Sequence, residues 1–420
     1  MLRKTYAPYV IALVLLVCVF AFSPNFLAFQ SGGKTPFAGD FLQEWIGAYV
    51  VWNNGADRLY DEPFVKQIQH DPELLGFEWR ESSYFSMVYP PFYYIVLSPL
   101  SLLPYHVAAW LFTVLMVVCL FASGTLMLRA LPNVNPHRFA WLFVATIWFV
   151  PLLRSLTTGQ KGTACLLILT GTFYLLKQKR PVWAGVVFGL MAFKPQLALV
   201  IGLAMLVKGQ FRFAASAVAT ASFFVGICFA AGTDVCVNYY QFCAGVGEYL
   251  HTSGYDLYKS HCLYGFLAML SGGQATMLVK ISTFISVILV FGMLLTILRG
   301  KLDTTSKCFN IQFSAMVICT LLLSPHLFTY DLTMLLLPMF LLGHAAQSKV
   351  VSRESETALI GLTVAMYFVA GFSHAVAAIG GLQLTTVLML AMLWILVRNM
   401  NAHGDPDTVR IHETHLATGA

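Results

Sequence analysis

Charge is what this chain has least of. Lys, Arg, Asp and Glu supply 10% of its 420 residues, where a soluble domain carries about a quarter. With 58% of the residues hydrophobic and a mean hydropathy of +0.73, a water-soluble globular domain is excluded and an integral membrane protein is expected. No composition shift marks a soluble domain. No internal repeat is visible, which counts against a transporter built from inverted halves. Among nine cysteines there is no CxxC or Cys/His spacing, so no metal site is expected. Cys18, Cys119, Cys165, Cys228, Cys308 and Cys319 lie in or beside apolar runs, where thiols act as small hydrophobes. Cys236, Cys243 and Cys262 share one polar loop, which leaves room for a disulfide and one thiol. The net charge of +6 is spread over loops rather than gathered on a face, so nucleic acid is not an expected partner.

Apolar runs are what the chain has in plenty. The first, about 6–29, follows a basic flank and lacks a small-residue cleavage motif, so it reads as a retained span. Others lie at about 106–128, 139–153, 162–176, 182–193, 197–207, 212–231, 277–298, 309–323, 330–345, 356–372 and 376–397. That makes about 12 transmembrane helices, with a range of 10–13. The proline-bounded run 92–103 reads as interfacial or re-entrant, and the break at Lys194 also bears on the count. The expectation is an all-α integral membrane protein, a polytopic bundle forming one domain over 1–398, with a polar, disordered cytoplasmic tail at 399–420. A long polar loop at about 30–90 holds nine of the 19 acids. Sixteen of the 25 lysines and arginines, from Arg3 and Lys4 to Arg398 and Arg410, fall on the side that holds both termini. Both termini are therefore expected in the cytoplasm and the 30–90 loop outside.

The stretch 38–61 organises that loop. Behind Asp40, the stripe Leu42, Trp45, Ile46, Tyr49 follows i, i+3, i+4, i+7 spacing and reads as an amphipathic helix along the membrane, ended at Asn53-Asn54-Gly55. Asp40 has two readings. It is a candidate general base, and it is also a good N-cap, with Gln43 completing a capping-box pattern.

An ionic group in the middle of a span is costly and usually has a task, and three further polar inserts fall at the outer ends of spans. The turn Arg154-Ser-Leu-Thr-Thr-Gly-Gln-Lys-Gly162 bends at two glycines and offers Gln160 and Lys161 as donors, although an ordinary polar turn looks the same. Phe193-Lys194-Pro195-Gln196 breaks an apolar stretch, which makes Lys194 a candidate phosphate or carboxylate ligand; the plainer reading is a snorkelling lysine. Ser324-Pro-His-Leu-Phe-Thr-Tyr-Asp331 carries His326, able to donate a hydrogen bond or a proton near neutral pH, and Asp331, able to pair with a lysine or cap the next helix. One carboxylate with several cationic or donor groups on one membrane face can activate a hydroxyl nucleophile and hold a phosphate leaving group.

These blocks resemble the polyprenol-dependent mannosyltransferases of glycosyltransferase family 87, in the GT-C superfamily. The resemblance is carried by Asp40 with Gly55 and Leu59-Tyr60-Asp61, by Tyr89-Pro90-Pro91, Gly159-Gln160 and Lys194-Pro195, and by Ser324-Pro325-His326 with Tyr330-Asp331. Members commonly carry asparagine two positions after the glutamine, where this chain has Gly162. The resemblance implies a GT-C type bundle in the bacterial inner membrane. It implies inverting transfer of a hexose, mannose in the first instance, from a polyprenyl-phosphate sugar to a lipid or glycan acceptor on the extracytoplasmic side. Asp40 would be the general base. His326, the second catalytic residue, would neutralise the departing phosphate with the basic residues among the substrate-binding set Lys194, Arg154, Gln160, Lys161, Tyr89, Tyr330 and Asp331. The helix after Asp40 and the run after Pro91 would shape a lipid groove. No cofactor or metal is implied, and Asp57 with Asp61 is the nearest approach to a metal-binding carboxylate pair. The alternatives are a lipid-linked sugar flippase or secondary transporter with its site at the Lys194 break, and a structural subunit in which Asp40 is only a cap.

Overall fold

The computed structural model describes residues 2–21, 36–79, 84–252, 256–274, 276–300, 302–347 and 351–402. The end of the first expected span, the stretches 30–35 and 80–83 of the first loop, and residues 403–420 of the expected tail lie outside the described residues.

Among the described residues the chain is helical, with one isolated antiparallel bridge, Ser260 to Phe328, and no strand. Helix α1 (Leu2–Ala21) buries Ala12, Leu16 and Phe20 on one face and leaves Val10, Val14 and Val17 exposed, the pattern of a helix with protein on one side and lipid on the other. The first loop holds α2 (Phe41–Asn54), α3 (Glu62–Gln69) and α4 (Pro72–Leu75), capped by Asp61 and Asp71. Then come α5 (Pro91–Leu97), the long α6 (Tyr105–Ala130), and the pair α7 (Pro136–Thr146) and α8 (Val150–Thr157). Helices α9 (Gly162–Lys177), α10 (Pro181–Gly189), α11 (Pro195–Val207), α12 (Phe211–Ala231) and α13 (Thr233–Thr252) follow. The chain ends through α14 (Leu263–Leu270), α15 (Met277–Ile297), α16 (Cys308–Leu323), α17 (Leu336–Gln347), α18 (Arg353–Val369), α19 (Ser373–Gly380) and α20 (Leu384–Ala402).

Helix α16 is the centre of the bundle. It is buried on all sides: every residue from Phe309 to Leu322 is buried, Asn310, Gln312, Ser314 and Thr320 included, and α11, α15, α17 and α20 pack around it. Helices α10 and α12 approach closely because Gly185 and Gly189 of α10 face α12, where a Cβ at either would overlap Ser216 or Thr220.

By length and composition, α6, α12, α15 and the run Thr329–Gln347 are each able to cross a membrane. Two bent pairs, α7 with α8 (63°) and α18 with α19 (76°), raise the number among the described residues to as many as six. The protein is a multi-pass membrane protein. Several expected segments differ in detail. The run 139–153 bends between α7 and α8. The run 376–397 is interrupted where Gly381 adopts φ 72° and ends α19. The polar stretch after α12 is helical as α13 rather than a loop. No disulfide joins its cysteines: all nine are free, Cys262 is buried and caps α14, and Cys236 and Cys243 sit on α13. Helix α2 buries more than the one expected stripe. Leu42, Glu44, Trp45, Ile46 and Ala48 are all buried, packed against α5 and the turn after it.

Candidate active site

The chain arrives at α2 through a tight turn, with Ala38 at φ 52°. The Tyr105 hydroxyl donates to the Phe37 and Ala38 carbonyls at 2.7 and 3.0 Å, and Asp40 N–H donates to the Thr158 carbonyl at 2.9 Å. The partner turn depends on glycine. Gly159 has φ 78°, and a Cβ there would stand 2.8 Å from that of Phe41. Gly162 similarly faces the Tyr330 carbonyl and Ser155 Oγ, each 2.6 Å from where its Cβ would be. This close docking brings Gln160 Nε2 to 3.0 Å from Asp40 Oδ2.

Asp40 is not acting as a cap. Its own φ and ψ, −70° and −25°, are already helical, and its carboxylate makes no bond to the first turn of α2; a capping residue sits in the extended region. The capping box is also absent, because Gln43 Nε2 donates to the Ser86 carbonyl instead. Burial raises the Asp40 carboxyl above the usual carboxylate range, because surrounding protein disfavours its charge. Hydrogen bonds from Gln160 and Thr158 and the positive charges of Lys161 and Lys259 offset part of that. Asp40 is only partly buried, so a reactant can reach it.

One turn further along α2, buried Glu44 forms an ion pair with buried Lys161. The Lys161 ammonium also lies 4.0 Å from the centre of the Tyr89 ring and 5.4 Å from that of Tyr93. Glu44 Oε2 and Gln160 Oε1 are buried without a hydrogen-bond partner.

A second buried pair stands at the break between α10 and α11. Leu190–Phe193 tightens into a 3-10 turn, Pro195 starts α11, and Lys194 between them points its Nζ to Asp331 Oδ1 at 2.6 Å. Asp331 Oδ2 also accepts from Phe328 N–H at 3.3 Å, so it does both tasks expected of it. The Lys194 ammonium lies 5.4 Å from the Tyr330 ring centre. Burial and the charge of Lys194 push Lys161 well below the usual lysine range, while Cys165, Asp40 and Asp331 pull it back up, and this mutual influence joins the two pairs and the Asp40 carboxylate into one cluster. His326, half-buried with its ring 4.3 Å from that of Phe328, is pushed down to about 4 by burial. At neutral pH it offers an N–H hydrogen bond rather than a positive charge.

Asp40, Gln160, Lys161, Tyr89, Lys194, Tyr330, Asp331 and His326 thus come from distant parts of the chain to one region. Arg154 does not join them in contact and is exposed. Asp61 caps α3 and pairs with Arg58 at 2.7 Å. Among the described residues no group of three His, Cys, Asp or Glu side chains is placed to hold a metal. Sequence reasoning missed Glu44, although an acid four residues after Asp40 in a helix was visible as its neighbour on the same face. It also missed His261, which is wholly buried.

A cavity of about 700 Å³ opens between α10, α11 and α12, walled by side chains such as Phe188, Ala192, Leu199, Ala217 and Val225. Its lining includes Pro90, Phe92 and Pro195, so the groove ends at the residues next to Tyr89 and Lys194. Pro91 and Phe92 line it, whereas Asp40 and α2 do not.

A model of glycosyltransferase family 87 matches residues 87–325, a stretch that includes Tyr89, Gln160, Lys161 and Lys194 and lies outside Asp40, His326 and Asp331. No curated protein and no solved structure matches the chain.

Proposed function

Because the chain belongs to glycosyltransferase family 87, we propose that it transfers a hexose, mannose in the first instance, from a polyprenyl-phosphate sugar to a lipid or glycan acceptor, with inversion. Asp40 takes the proton of the acceptor hydroxyl as that oxygen attacks the anomeric carbon. The bond from that carbon to the phosphate oxygen breaks, and polyprenyl phosphate leaves with one more negative charge. Lys194 and Lys161 face that charge. Each ammonium has three N–H groups and gives one to its carboxylate, so donors remain for phosphate oxygens. His326 adds a neutral donor. The prenyl chain lies in the apolar groove between α10, α11 and α12, whose end beside Tyr89 and Lys194 sets the headgroup at the two cations. The lipid-linked sugar is the whole donor, with no cofactor.

The observation that carries this reading is the Asp40 carboxylate: uncapped, reachable, held by the Gln160 amide and raised by its surroundings, as a general base requires. The same reading takes the fold as GT-C type with about twelve spans, several of them short or bent. Both termini are in the cytoplasm of a bacterial inner membrane, and the cluster is on the extracytoplasmic face. The test is D40N, in purified protein supplied with radiolabelled polyprenyl-phosphate mannose and a panel of acceptors. Transfer should fall by about 10²–10⁴-fold while the protein still folds. D40N transferring at the wild-type rate would remove Asp40 from the chemistry.

A further inference from the structure

The segment that presents His326 has no helix or strand of its own between the end of α16 and Thr329, so its backbone groups must be satisfied from elsewhere. Residues 260–262 supply the partners. Ser260 forms the isolated bridge to Phe328. His261 N–H donates to the Leu327 carbonyl at 2.8 Å, and Cys262 Sγ donates to the Pro325 carbonyl at 3.6 Å. The His261 ring lies at the centre, with Nε2 3.0 Å from Thr329 Oγ1 and Nδ1 2.6 Å from Thr385 Oγ1.

The far side is tied down as well. Thr386 Oγ1 donates to the His261 carbonyl at 2.8 Å. Thr385 N–H donates to Ser373 Oγ at 3.2 Å, and that hydroxyl donates to Gln383 Oε1 at 3.1 Å. Gln383 Nε2 in turn donates to the Tyr258 carbonyl. One wholly buried imidazole therefore joins three segments: the turn before α14, the loop of His326 and Asp331, and the start of α20.

We propose that His261 is a positioning residue for the transfer reaction, fixing through Thr329 the segment that presents His326 and Asp331 to the donor phosphate. The inference rests on the donor site assigned above. A hydroxyl on each side suits a neutral ring, one nitrogen donating and the other accepting, whichever tautomer is present. Burial drives His261 down to about 3, so it holds the loop without exchanging protons with the reaction.

The test reads donor and acceptor kinetics separately. H261A should raise the KM for the lipid donor about ten-fold, the size expected for one lost buried hydrogen bond, and leave the KM for the acceptor unchanged. H261Q, whose amide reaches toward Thr329 as Nε2 does, should recover most of the loss, and H261N less. T329V should raise the donor KM alone, and H261A/T329V should be no worse than H261A, because both act through one contact. Additive losses, or a lower folded yield with an unchanged donor KM, would overturn the proposal. If H261A does not fold, H261Q and T329V carry the same comparison. Binding of undecaprenyl phosphate, measured without turnover, separates this idea from the assigned chemistry. Ten-fold weaker binding in H261A beside an active D40N keeps the positioning role and removes Asp40. Unchanged binding and transfer in H261A removes the positioning role whatever D40N does.

Discussion

Asp40 and Glu44 stand one helical turn apart, carry the same functional group and are both surrounded by protein, yet their partners differ. Glu44 meets an ammonium, that of Lys161, while Asp40 meets a neutral amide, that of Gln160. A contact cation favours the ionised carboxylate strongly, whereas an amide donor favours it weakly and leaves desolvation to dominate. The partner rather than the burial therefore divides the labour. Glu44 is a fixed counter-ion that keeps Lys161 beside Tyr89, and Asp40 is left able to take up a proton. The Lys194 pair repeats the first arrangement, so one proton acceptor stands with two lysine–carboxylate pairs.

The most forceful way to break this contrast is to remove the charge at each acid in turn. E44Q leaves a lysine ammonium buried without its counter-ion, which costs about 3–5 kcal/mol, and should appear as a large drop in melting temperature in detergent. E44Q/K161M, which removes both charges, should recover much of it. D40N strands no cation in contact and should not lower the melting temperature. If E44Q melts like the wild type, Glu44 is not a counter-ion and the division of roles fails.

How much of this was legible in the sequence follows from where each partner lies. Asp40, Gln160, Lys194 and Asp331 announce themselves because each sits in a break: a loop start, a Gly turn, a Lys-Pro interruption, a polar insert between apolar runs. Glu44 looks like any acid on an exposed helix face until Lys161, 117 residues on, is seen to fold against it. His261 lies in a polar stretch whose cysteines suggested a disulfide, and its partner Thr385 is 124 residues away. The apolar runs announce the helices but not their bends. Hydropathy does not mark the 63° turn between α7 and α8, because Ile147, Trp148 and Phe149 at the break are themselves apolar; Pro151 at the start of α8 is the signal for it. The cap reading of Asp40 was chemically sound and lost to tertiary structure: the Thr158 carbonyl takes the Asp40 N–H and turns the carboxylate toward Gln160.

A subtler effect sharpens the same contrast. A carboxyl raised in the folded state makes its ionisation a cost to stability. That cost is absent below the ordinary aspartate value of about 3.9 and grows as pH rises through the raised value. D40N removes it. The variant should melt slightly above the wild type at pH 7–8, with the gap closing on acidification toward pH ~4. In the wild type, transfer should decline on acidification at a pH above the ordinary carboxylate range, since protonated Asp40 cannot act as a base. A wild-type rate that holds down to pH ~4 would place Asp40 among ordinary carboxylates.

The smallest change bears on the amide that distinguishes Asp40 from Glu44. Gln160 Nε2 pulls the Asp40 carboxyl down, and Gln160→Ala removes that pull without altering a charge. The acid limb of the rate profile should move to higher pH, and transfer at neutral pH should fall by about ten-fold or less. The decisive measurement is at alkaline pH. If Gln160 acts only by holding Asp40 ionised, the Gln160→Ala rate returns toward the wild-type value once Asp40 is fully deprotonated. A rate that stays low across the whole profile, with a raised substrate KM, assigns Gln160 to the substrate instead. Its buried and unpartnered Oε1 would then be the atom that meets a sugar hydroxyl.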